Sequence, residues 1–170
     1  MDLEQQIVLE KPRKMCKEKF YELARSNVRF VSEKESKQIF YKASDDDLKR
    51  EVGDNFVPCP FFYMTVITEK GDRKLESLDI VINKDFFQRA DEDFTDILPY
   101  AIEHEIYEAW LCFVYGSEFN KAHYLARRKE VKLAVKDQKI ERLHLFYLLI
   151  HPNFALEVEK EYNKLTKQTQ

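Results

Sequence analysis

The segment AIEHEIYEAW, residues 101–110, carries His104, Glu105 and Glu108 within little more than one turn of what reads as a helix. Residues four apart stack on one helical face, so His104 and Glu108 can reach a common ion. An imidazole nitrogen and a carboxylate oxygen are both good ligands for zinc. Glu105 lies one step round the wheel and would not ligate. It would sit beside the ion's open position, where a general base for a water nucleophile belongs. The rest of the helix argues against a solvated face. Leu98, Ile102, Ile106, Ala109 and Phe113 cover one broad side, and Trp110 and Val114 extend it. The three ionisable groups fall in a separate arc of roughly 100°. Their neighbours there are Ile97, Ala101, Leu111, Cys112 and Tyr115, and only Glu103 is left for water. Burying a carboxylate pair costs on the order of several kcal/mol unless a positive charge compensates, and a metal ion would do so.

One helical turn cannot close such a site. In AHYLARRKEVKLA, His123 and Glu130 fall within roughly 20° of each other on the wheel. Ala122, Ala126, Leu133 and Ala134 surround them, while Lys121, Arg128, Lys129, Lys132 and Lys136 take the solvated side. His123 is the expected third ligand. Glu130 is an alternative ligand or the partner that orients an imidazole. A carboxylate in place of a second imidazole on the first helix moves the metal preference from zinc toward manganese or iron. The metal-free alternative is a network in which buried His and Glu satisfy each other or pair with Arg127. A di-iron carboxylate bundle needs Glu three residues before each His, and Ala101 and Asn120 stand there. His144 and His151 are two turns apart and read as core or cap residues. Cys59, between Pro58 and Pro60, has no base beside it, and Cys112 reads as a packed thiol.

Composition bounds the rest. A chain of 170 residues with 44% hydrophobic and 35% charged side chains is expected to form one domain, residues 1–170. The net charge of −3 gives no basic field for nucleic acid. Three scattered cysteines, no hydrophobic leader and no apolar run of about 20 residues point to a cytoplasmic protein with no membrane span. Three glycines leave no phosphate-cradling loop.

The elements that must position the site follow from periodicity. Residues 1–10 read as a loose arm, and a helix starts near Pro12. VRFVS and KQIFYKA read as short strands, and SDDDLKREVG as a capped turn. Residues 60–83, FFYMTVITE and LESLDIVINK about a KGDR turn, form a β-hairpin. Residues 94–166 are a helical half: a first helix starting near Pro99 and ending by Gly116, then three more. The pattern predicts an α+β fold in which a small antiparallel sheet packs against this half.

The run LDIVINKDFFQRADEDFTDILPYAIEHEIYEAW resembles the active-site region of small zincin-like metallopeptidases. There an edge strand precedes a helix bearing His-Glu-x-x-His, and a third ligand comes from a later helix. LDIVINK matches the strand, IEHEIYEAW the helix and the His123 segment the third-ligand helix, with Glu108 in place of the second His. The resemblance implies that His104 is a ligand, that Glu105 is the general base, and that the edge strand templates an extended peptide. The expected function is a metal-dependent, peptidase-like hydrolase acting on a peptide or protein. Its ligands would be His104, Glu108 and His123, with zinc first and manganese or iron as alternatives. Tyr107 or Tyr124 could face an oxyanion. The competing expectation is a zincin-like fold without catalysis, an interaction module built over a buried His–Glu network.

Overall fold

A computed structural model describes residues 16–43, 61–68, 74–89, 91–150 and 152–167. The expectations for residues 1–10, 44–53, 58–60 and 70–73 and for His151 lie outside these. In chain order the elements are α1 (Lys17–Ser26), β1 (Val28–Val31), α2 (Glu33–Ala43), β2 (Phe61–Thr68) and β3 (Lys74–Asn83). A short turn α3 (Lys84–Phe87) leads through a 3-10 turn, Thr95–Ile97, to α4 (Leu98–Phe113). Helices α5 (Phe119–Lys136), α6 (Ile140–Ile150) and α7 (Pro152–Lys167) complete the fold.

The α+β pattern holds, with the hairpin first and the helical half after it. The sheet corrects the expectation of a purely antiparallel one. Its order is β1-β3-β2, with β2 antiparallel and β1 parallel to β3. Val28, Arg29 and Phe30 stand opposite Ile80, Val81 and Ile82, while Phe61, Phe62 and Tyr63 occupy the other side of those same residues. The LDIVINK strand is therefore central, not an edge, because both its ladders are taken. Its alternating residues show the consequence. Leu78, Ile80 and Ile82 enter the main core, and Val81, which points to the other face, is also fully buried.

KQIFYKA is not a strand but the body of α2. Its start is a capping box. The Ser32 amide donates to Glu35 Oε2 at 2.8 Å, and the Glu35 amide donates to Ser32 Oγ at 3.3 Å. Asp85 accepts the Glu33 amide at 2.8 Å. Three otherwise orphaned amides at the helix start are thus satisfied, which outweighs the β-preference of Ile39, Phe40 and Tyr41.

Helix α4 starts at Leu98 with Pro99 in its first turn. It ends where Gly116 takes φ 67°, and the Ser117 amide folds back onto the Leu111 carbonyl at 3.0 Å. It is the central helix of the core. Ile106, Ala109, Phe113 and Ala101 pack with Phe20, Phe94, Ile97 and Phe146, all buried. Each such large side chain contributes about 1.5–3 kcal/mol on burial. Glu103 is not left to water, as expected from the wheel. It pairs with Arg25 of α1 at 3.2 Å and with Lys129 of α5, and Lys129 also donates to Tyr21 Oη at 2.8 Å. Phe61, the first residue of β2, stacks between the helical half and the sheet, 6.2 Å from Phe146 and 6.4 Å from the His104 ring.

Candidate metal centre

Helices α4 and α5 are antiparallel neighbours joined by a short connection, and their polar arcs face each other. The structure brings His104, Glu108 and His123 together. One ligand atom from each lies within 4.8 Å of the others, so the group could hold a metal ion. The close geometry is a triangle. His123 Nδ1 is 2.8 Å from Glu108 Oε2, His104 Nε2 is 3.3 Å from Glu108 Oε2, and the two ring nitrogens are 3.3 Å apart. Bonds of about 2.0–2.1 Å at tetrahedral angles put ligand atoms about 3.3 Å apart. Three protein atoms thus already stand where one face of such an ion's coordination shell would be.

The far nitrogens of both rings also have carboxylates. His104 Nδ1 lies 3.0 Å from Glu130 Oε2, and His123 Nε2 lies 3.5 Å from Glu157 Oε2. Metal-bound imidazoles nearly always have such a partner, which fixes the tautomer and turns the ring. Glu130 is fully buried and is itself held. The Tyr147 hydroxyl donates to its Oε1 at 2.7 Å and the Arg127 guanidinium donates to its Oε2. Arg127 lies over the Tyr147 ring, 4.0 Å from its centroid, and its Nε is 3.4 Å from Glu157. Glu130 therefore backs an imidazole, one of its two expected roles.

The charges are consistent with this geometry. Burial alone would push the His104 pKa down, and Arg127 acts the same way. The Glu130 and Glu108 carboxylates overcome both and raise it to about 9. Burial would raise Glu108, but hydrogen bonds from His104 and His123 hold it at about 2. Glu130 is likewise held below the ordinary carboxylate range, chiefly by Arg127 acting against burial. Glu108 Oε2 thus lies between the near nitrogens of both rings.

Glu105 is buried and feels the charges of this network. Burial and the Glu108 charge push its pKa well above the ordinary value. Among the described residues its carboxylate has no ion-pair partner. Tyr107 lies beneath the ammonium groups of Lys17 and Lys129, at 5.4 and 4.3 Å, and the Tyr124 hydroxyl accepts from Lys164 at 3.2 Å. His144 belongs to no metal-capable group among the described residues, and Cys112 is buried in the core.

Sequence reasoning missed Glu157 and Tyr147. Tyr147 reads as one more aromatic on an apolar helix. Glu157 sits on the border of an amphipathic helix rich in Glu, and only its neighbour across space distinguishes it.

No protein-family model, no curated protein and no solved structure matches the chain. No described helix is long and apolar enough to cross a membrane.

Proposed function

We propose that the chain is a metal-dependent hydrolase of zincin-like, peptidase-like type, with His104, Glu108 and His123 as ligands and Glu105 as general base. One observation carries this reading: three ligand atoms form a triangle of 2.8–3.3 Å, and both imidazoles in it are backed by carboxylates. Two imidazoles and one carboxylate with an open fourth position form a catalytic zinc donor set, and zinc is the first assignment. The same set suits iron(II) or manganese, so the assignment is made by metal content. The ion would polarise a scissile carbonyl and acidify a water.

The chain's own residues do the rest. Glu130 keeps the His104 ring proton on its far nitrogen, the Glu157 charge favours the far nitrogen of His123, and the near nitrogens are left free to ligate. Glu105, with no ion-pair partner among the described residues and with its proton affinity raised, takes the proton of the attacking water and passes it to the leaving amine. An extended peptide would add to the outer edge of β2 rather than to β3. That edge has no strand partner among the described residues, and β2 begins at Phe61 against the His104 ring.

Elemental analysis of the purified protein tests the metal, and release of amine from a mixed peptide pool tests the reaction. The second reading, an interaction module without catalysis, is favoured by one feature: in the His104, Glu108, His123, Glu130 and Arg127 network the carboxylates already have cationic side-chain partners and need no metal ion. Protein that carries no metal, and takes up none of zinc, manganese or iron, would leave that reading standing alone.

A further inference from the structure

The two imidazoles are backed unequally. Glu130 sits on the same helix as His123, is fully buried, and is held by His104, Tyr147 and Arg127. Glu157 comes from α7, has a side chain 41% exposed, and reaches His123 Nε2 at 3.5 Å, an ion-pair distance that is long for a hydrogen bond. The His123 side chain is itself 28% exposed, against 1% for His104. Arg127 joins the two supports, contacting Glu130 through Nη1 and Glu157 through Nε. A planar guanidinium can serve two carboxylates from different edges, which a lysine ammonium does less well.

We propose that Glu157 is a positioning residue that makes His123 the exchangeable ligand of the centre, so that the seating of α7 sets how long the ion stays bound. This deepens the metal reading above and rests on it. The path of release follows from the exposure gradient. His104 and Glu108 are sealed in the core, so the ion leaves only after His123 swings away from them. His123 can swing only when Glu157 lets go of Nε2. Helix α7 packs through Ala155 and Val158, both buried, and through Phe154, whose ring lies 5.9 Å from the Arg127 guanidinium. A small shift of α7 therefore breaks the Glu157 contact and leaves Glu130 in place.

The test uses the full chain loaded with cobalt(II), whose visible spectrum reports ligand geometry. Glu157→Gln keeps the length of the side chain and removes its charge, and Glu157→Ala removes the support entirely. Glu159→Gln, on an exposed position of the same helix, is the control. Loss of an outer support costs about 10–100-fold in metal affinity, so EDTA should strip cobalt at least about tenfold faster from both Glu157 variants. Their visible bands should shift, and the control should match wild type. The metal-free melting temperature should hardly move, because Glu157 is half exposed. The proposal stands only if release rate and spectrum both change. Wild-type behaviour in either readout overturns it while leaving the metal centre intact. A wild-type protein that takes up no cobalt overturns the centre and this proposal together.

Discussion

At the scale of single residues, Glu105 separates chemistry from structure. Because its folded pKa is raised, its charged form is disfavoured in the fold. Stability is lost as pH rises from the ordinary carboxylate range toward the raised value. Glu105→Gln mimics the protonated form. In the metal-free protein it should leave the melting temperature at pH 7 unchanged or higher, while hydrolysis falls at least about a hundredfold with metal content intact. Lost metal would show instead that Glu105 ligates. His104 makes a second prediction. Its folded pKa of about 9 lies above the ordinary imidazole value. The stability it gives the metal-free protein is full below about pH 6.5 and is lost as pH rises through about 9. An incoming ion must displace that proton, so zinc or cobalt affinity should climb about tenfold per pH unit between pH 6.5 and 9. Titrations that are flat over this range would contradict the ligand role of His104. The inner residues were legible in the sequence because ionisable side chains on the apolar arcs of two consecutive helices must face something. Glu157 was not, because a carboxylate at the edge of a surface helix looks the same whether or not an imidazole lies across from it. Glu103 was misread for the related reason that its cations, Arg25 and Lys129, come from other elements.

At the scale of elements, two helix contacts invite direct measurement. Arg127 joins α5 to α6 through Tyr147 and to α7 through Glu157. Arg127→Met leaves Glu130 buried with the Tyr147 hydroxyl and His104, and without its guanidinium. In the metal-free protein it should cost about 3–5 kcal/mol in urea unfolding, the usual result of stripping one partner from a buried pair. A loss under about 1 kcal/mol would mean that the guanidinium contributes little to α5–α7 packing. The capping box of α2 predicts a smaller effect. Ser32→Ala should cost about 1 kcal/mol, and far-ultraviolet dichroism should show part of the loss as helix. The Ser-Glu-Lys-Glu signal for that helix was present in the sequence, at residues 32–35, and the β-preferring run of Ile39, Phe40 and Tyr41 masked it. The hairpin was legible because its pairing is local. The central place of β3 was not, because it depends on β1, whose partner Ile80 lies far along the chain from Val28.

At the scale of the whole molecule, an ion bound only by the folded chain should stabilise all of it. Free zinc at one hundred times its dissociation constant adds about 2.7 kcal/mol, so the single thermal transition should move upward with zinc concentration and return on chelation. No movement at any zinc concentration would count against the centre. The mixed sheet has a kinetic consequence. All the residues of the centre, from His104 to Glu157, lie in one run of consecutive helices, and their contacts bridge shorter separations, 26 residues for His104–Glu130 and 30 for Arg127–Glu157. The parallel β1–β3 ladder must instead close a loop between Val28 and Ile80. Contacts of low contact order form quickly, and loop closure over long separations is slow. In pulsed hydrogen exchange during refolding, amides of α4 and α5 should gain protection before those of β1. An ion could then meet its ligands while the first strand is still unplaced, and so act as a nucleus for folding.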